Sequence, residues 1–263
     1  ILSSRASFMK QQVFITITSA FFSSDTILYP PSFIRPTITS LSTVFLSHPK
    51  DIKATFTITM PDKDDISMNL WMKGETDREV FTALSPMTEG LSRTPGMPYN
   101  IKEQPTLTFV ARQKGEAWNR PFVAIYEPSS VKEPGCIAEV SFPEVKSKTE
   151  NSATSICVVQ KDGRIDYILS SDTPTDICTS GKMSAQATYA LWGNKKGDDC
   201  TFFLGHGTLL STPNVVIKAE TPAEILLEFK KGAWYYTASA DCAISIKKKT
   251  YKLKANTAEM ELK

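Results

Sequence analysis

A chain of 263 residues is long enough for one large or two small domains, and its 41% hydrophobic and 22% charged content is that of a folded protein. The net charge of +2 excludes a general polyanion-binding composition, and no basic run is interleaved with aromatics as nucleic-acid contact requires. No stretch approaches the roughly 20 apolar residues of a membrane-spanning helix.

The chain opens on Ile1 instead of Met, which reads as a fragment or a processed product. Residues 13–22 follow Met9 and Lys10 and have the outline of a short signal-peptide apolar core. Their β-branched content favours a strand instead. The clearest pattern comes next. Ile52, Ala54, Phe56, Ile58 and Met60 alternate with Lys53, Thr55, Thr57 and Thr59, a half-buried strand. Pro61, Asp62, Lys63, Asp64 and Asp65 form a polar turn. Ile66, Met68, Leu70 and Met72 then alternate with Ser67, Asn69, Trp71 and Lys73, which completes a hairpin with one wet face.

Further short strands are predicted over residues 107–112, 121–126, 137–142, 155–160, 164–169 and 186–192, then 215–218, 225–229, 234–237, 243–247 and 251–254. Residues 121–126 are apolar on both faces, the pattern of a central strand covered on both sides. The polar run 143–151 reads as a linker, and the strands expected beyond it are shorter and closer together. No amphipathic helix of ten or more residues is found. The reading is all-β: an antiparallel β-sandwich over residues 1–145 followed by a smaller β domain over residues 146–263.

The inventory of reactive groups is sparse. Cys136, Cys157, Cys178, Cys200 and Cys242 stand apart without a closely spaced pair, so no zinc site is expected; Cys157 reads as a buried thiol. The two histidines, His48 and His206, suit neither a hydrolytic triad nor a metal site by spacing. Neither a metal nor a cofactor is expected. The Lys247, Lys248, Lys249 triplet reads as a solvated strand end.

One connection stands out. Arg112-Gln113-Lys114-Gly115-Glu116-Ala117-Trp118-Asn119-Arg120-Pro121 places two arginines, a glutamate and a tryptophan between two strands. Guanidinium groups match carboxylates and sulfates, and a flat aromatic ring stacks on a pyranose face. The same residues also suit a loop pinned by an ion pair from Glu116 to an arginine, with Trp118 covering a sandwich edge. Trp71, on the polar face of its strand, reads either as a ligand platform or as a side chain beneath a neighbouring loop.

The stretch Met68-Asn69-Leu70-Trp71-Met72-Lys73-Gly74-Glu75-Thr76-Asp77-Arg78-Glu79-Val80-Phe81, the 105–124 region that carries the connection above, and Tyr126-Glu127-Pro128 resemble the C-terminal part of heparinase II/III-like polysaccharide lyases. The resemblance runs from about Ser47 to Ser170, loosens toward Lys249, and does not extend over residues 1–43. It implies a secreted or periplasmic protein in which a helical toroid is joined to a large β-sandwich. It also implies β-elimination on a uronate-containing polysaccharide, with a tyrosine or histidine as base or acid. This chain lacks the helical region and a cluster of histidine and aspartate ligands. His48 is a candidate cleft histidine without a matching family position, so no catalytic residue is carried over.

Three functions follow as expectations. The first is the β-sandwich part of such a lyase, with acidic polysaccharide and a helical catalytic domain of the parent protein as partners. The second is a non-catalytic carbohydrate-binding or surface adhesion module. The third is a complete small all-β lyase. The carbohydrate-contact candidates are Trp71, Arg112, Glu116, Trp118 and Arg120.

Overall fold

A computed structural model describes residues 15–17, 35–38, 46–47, 50–59, 64–85, 106–113, 120–195, 199–247 and 249–262. Every regular element among them is a strand, and every strand pair is antiparallel. The chain divides into two compact units, Ile1–Gly135 and Cys136–Lys263. The run 143–151 lies inside the second unit, where Lys146 and Thr179 exchange backbone hydrogen bonds of 2.8 Å.

The first unit contains β1 (Ile15–Ile17), β2 (Arg35–Ile38), β3 (Leu46–Ser47), β4 (Ile52–Thr59), β5 (Ile66–Met72), β6 (Arg78–Ser85), β7 (Thr106–Gln113) and β8 (Ala124–Ser130). They form two four-stranded sheets, ordered β1-β7-β6-β3 and β2-β4-β5-β8. Alternation in the β4–β5 hairpin sends Ala54, Phe56, Leu70 and Met72 to the inner face, where they meet Val80 and Phe109 of the other sheet. Phe56 and Phe109 pack edge to face with ring centroids 6.2 Å apart. On the opposite face of the hairpin, Thr55 bonds Asn69 at 2.9 Å and Thr57 pairs with Ser67 at 3.0 Å, so the polar face is stitched across the strands.

The stretch predicted as a central strand over 121–126 differs in place and start. β8 begins at Ala124 and is the last strand of its sheet. Backbone pairing reaches back to Val123, whose carbonyl accepts from the Lys73 amide at 2.9 Å, and the Arg120 and Pro121 carbonyls before it are engaged by a side chain described below. The strand expected within residues 13–22 is present as β1, which pairs with β7; the rest of that stretch lies outside the described residues.

The second unit is one eleven-stranded sheet: β9 (Ile137–Ser141), β10 (Ala153–Gln160), β11 (Arg164–Ser171), β12 (Cys178–Ser180), β13 (Met183–Lys195), β14 (Cys200–Ser211), β15 (Val215–Lys230), β16 (Ala233–Ala238), β17 (Cys242–Ile246), β18 (Lys249–Leu253) and β19 (Asn256–Glu261). The strands here are not shorter, as the sequence suggested. β13, β14 and β15 run for 13, 12 and 16 residues. Bulges interrupt their pairing, and in β15 the two halves serve different neighbours: Val215–Ala219 pairs with β17, and Ile225–Lys230 with β16. The two predicted runs at 215–218 and 225–229 are therefore one strand.

The bulges have a local cause. Register shifts fall at Gln186/Ala187 in β13 and around Gly207 in β14. A Cβ on Gly207 would come within 2.3 Å of the Ala187 side chain and 2.6 Å of the Gln186 carbonyl, so the two strands close together there only because the residue is glycine. Exposed His206, between two glycines, takes the left-handed conformation at φ 48°. Folding the sheet this way brings both halves around one apolar core that includes Leu169, Leu204, Leu210, Ile217, Ile225, Leu227 and Ile244.

Candidate functional site

The irregular end of the first unit collects the chemistry. Three segments converge there: the 73–77 loop between β5 and β6, the end of β7 at Gln113, and residues 120–123 entering β8. Irregular backbone leaves carbonyls that no ladder satisfies, and one side chain answers them. Arg78, the first residue of β6, is fully buried. Its Nη1 donates to the Lys73 carbonyl at 2.9 Å, its Nη2 to the Arg120 carbonyl at 3.0 Å and the Pro121 carbonyl at 3.3 Å, and its Nε to Gln113 Oε1 at 3.2 Å. The guanidinium lies 4.3 Å from the centroid of the Phe122 ring. Burial pushes its pKa down, Glu75 opposes that shift, and the charge of Arg120 adds to it.

The 73–77 loop is fixed from the other side by Gly74. Its amide donates to Asp51 Oδ1 at 3.0 Å, and a Cβ there would meet the Lys50 carbonyl group at 2.3 Å. Asp77 completes the turn in the left-handed region at φ 59°.

On this frame sit the two arginines singled out by the sequence. Arg112 is held by Glu79, its cross-strand neighbour: Nε donates to Oε2 at 3.0 Å, and Nη2 contacts the same oxygen. Its side chain stays 61% exposed. Arg120 Nη1 donates to the Thr76 carbonyl at 2.9 Å and reaches Asp77 Oδ2 at 3.4 Å. The same Thr76 carbonyl accepts from Gln113 Nε2 at 2.9 Å. Among the described residues the carboxylates opposite the arginines are thus Glu79 and Asp77; the ion pair suggested for Glu116 falls outside them. Glu116, Trp118 and His48 lie outside the described residues.

Trp71 is placed differently from a ligand platform. It faces outward from its sheet beside Lys53, as alternation predicts, with the Lys53 ammonium 5.3 Å from the ring centroid. Yet the residue is only 6% exposed, which leaves no open ring face for a sugar. Arg78 was missed because it reads as one more charge in Asp77-Arg78-Glu79. The signal was its phase: period two puts Arg78 on the same face as buried Val80.

Tyr126, Tyr167 and Tyr189 are each pushed up by burial and so stay protonated at neutral pH. Burial also raises the Cys157 thiol, against the pull of hydrogen bonds from Ser141 and Tyr167. In the second unit Tyr167 stacks on Trp192 at 5.0 Å and Trp192 lies parallel to Phe202 at 6.4 Å, so these rings spend their faces on one another. Arg112 and Arg120, each held by a carboxylate, keep part of their side chains open to solvent.

Comparison with known proteins adds one link. The sequence is similar to the endo-acting ulvan lyase of Formosa agariphila, with 27% identity over 179 residues. The chain is related to a polysaccharide lyase. The match covers 65% of this chain but 20% of that protein, so the chain spans about one fifth of the relative's length. No protein-family model matches the chain, and no solved structure matches it.

Proposed function

We propose that this chain is the β-sandwich portion of a polysaccharide lyase of the heparinase II/III-like kind, acting on an acidic, uronate-containing polysaccharide. In this reading it is secreted or periplasmic and supports a helical catalytic domain supplied by the parent protein. The sandwich contributes contacts to the acidic chain through Arg112 and Arg120, with Glu116 and Trp118 in the intervening loop. The observation that carries the proposal is the similarity to an ulvan lyase. The partly exposed guanidinium groups of Arg112 and Arg120 at one end of the first unit support it, since such forks donate to sulfates and carboxylates.

A second reading, a non-catalytic carbohydrate-binding or adhesion module, draws on the match covering only one fifth of the ulvan lyase's length. One experiment addresses both. The chain is incubated with ulvan, heparan sulfate, chondroitin sulfate and alginate, and unsaturated product is followed in the near ultraviolet alongside binding. Salt-sensitive binding to one of these without turnover is expected. Turnover that is lost in His48→Ala would overturn the proposal in favour of a complete all-β lyase. Absence of binding to all four would remove both readings.

A further inference from the structure

The second unit carries an uneven distribution of charge that its sequence alone understates. β17 pairs with β15 on one side and with β18 on the other, and β18 ends the sheet. Register places Lys218 opposite Ala243 and Ala243 opposite Lys252. Both lysines therefore stand on one face, two strand spacings or roughly 10 Å apart. The tight turn between β17 and β18 adds Lys247, in the left-handed conformation, and Lys249, whose ammonium lies 4.5 Å from the Tyr251 ring centroid. All four lysines are exposed.

Their neighbours distinguish them from ordinary surface lysines. Lys230 is bound to Glu228 and Glu259, Lys195 to Asp162, and Lys254 to Asp241 at 2.6 Å. Among the described residues no carboxylate pairs with Lys218, Lys247, Lys249 or Lys252. Positive charge thus outweighs negative along this rim, where Glu220 and Asp241 are the nearest carboxylates in sequence, beside a half-buried tyrosine and the Ser245–Thr250 hydroxyl pair, which are 2.9 Å apart. Lysines on an edge strand also discourage pairing with another sheet. That role gives no reason for Lys218, which is two strands in from the edge.

We propose that the β15–β17–β18 rim of the second unit is a second contact surface for an acidic polysaccharide, gripped by Lys218, Lys247, Lys249 and Lys252. The occupant is argued from charge complementarity, and it rests on the reading of the substrate as an acidic polysaccharide. The charge lies on both sides of the edge strand, so the ligand follows the rim instead of entering a pocket. Point charges on flexible stems suit a polymer whose anionic groups recur along its length.

The test uses the full chain and ulvan as the probe, with dextran and polyglutamate as controls, at low and moderate salt. One variant carries Lys218→Gln, Lys247→Gln, Lys249→Gln and Lys252→Gln; a second carries Arg112→Gln and Arg120→Gln. Melting curves verify folding, and Lys252→Gln alone provides a graded version. The lysine variant is expected to bind ulvan roughly tenfold more weakly at low salt, with unchanged melting and with a flatter salt dependence than the wild type. Loss of binding in the arginine variant alone would overturn this proposal and leave the first-unit reading standing. Equal retention of polyglutamate and ulvan by the wild type would overturn it as general ion exchange. Unchanged ulvan binding with new self-association of the lysine variant would overturn it in favour of edge protection. A wild type that ignores ulvan would remove the substrate reading and this surface together.

Discussion

Arg78 in the first unit and Leu227 in the second are both closed off from water, and they hold their surroundings by opposite means. Around Arg78 the backbone is irregular, and a fixed fork of donors gathers carbonyls that strand pairing leaves unused. Around Leu227 the ladder is continuous through β14, β15 and β16, so the backbone needs no help and burial of apolar surface does the work. A loop-rich end that presents charged groups needs an internal charge to keep its shape. A long folded sheet needs only glycines and bulges where it bends.

That contrast is open to direct attack. Arg78→Met preserves bulk but strands the Lys73, Arg120 and Pro121 carbonyls, and should cost about 3–5 kcal/mol. Hydrogen exchange is the readout: protection should collapse across residues 73–80 and 120–126 while β13–β15 stay protected. Equal loss in both units would show that the guanidinium is not a local device. Leu227→Ala should cost about 3 kcal/mol by leaving a cavity at a fully buried position. Its effect should appear in β14–β16 exchange and spare the 73–80 segment.

The difference between the regions also explains what the sequence disclosed. The β4–β5 hairpin was legible, with both strands starting where expected at Ile52 and Ile66, because one face is apolar and the other polar, the condition under which period two is visible. β14 escaped notice. Its Gly205-His206-Gly207 bulge puts exposed His206 and half-buried Thr208 at the in-phase positions between buried Phe202 and Leu204 before it and buried Leu210 after it, so the apolar series is interrupted in mid-strand. At the candidate site, Arg112 and Arg120 were found by their density in one connection. Their partners were not, because Glu79 and Asp77 come from a segment more than thirty residues earlier and only the β6–β7 register brings them close.

Gly74→Ala gives an intermediate effect on the same end. The new methyl would press on Lys50 and Asp51 backbone atoms, which are not the free end of a flexible chain. A cost of roughly 1–3 kcal/mol is expected. It should shift the 73–77 loop and weaken ulvan binding through the position of Arg120, without changing exchange in the second unit. A fully stable Gly74→Ala protein with unchanged loop exchange would show that Lys50 gives way, and that the loop is not pinned from this side.

The smallest expected effects on stability belong to the arginines themselves. The Arg120 side chain is 35% exposed and its Asp77 partner 58% exposed, so both are well hydrated when separated. The Thr76 carbonyl keeps its bond from Gln113 when Arg120 is removed. Arg120→Ala should therefore cost no more than about 1 kcal/mol, and Arg112→Ala a similar amount, as for other exposed pairs. A melting shift of at most about 4 °C follows for a unit of this size. Binding should behave differently. If the two guanidinium groups meet sulfates or carboxylates, each alanine variant should lose several-fold affinity for ulvan, and the loss should shrink as salt rises and screens the contact. A larger drop in melting temperature, with ulvan affinity intact, would reverse the assignment: the arginines would then be loop fasteners like Arg78, and the anionic ligand would have to be sought on the lysine rim of the second unit.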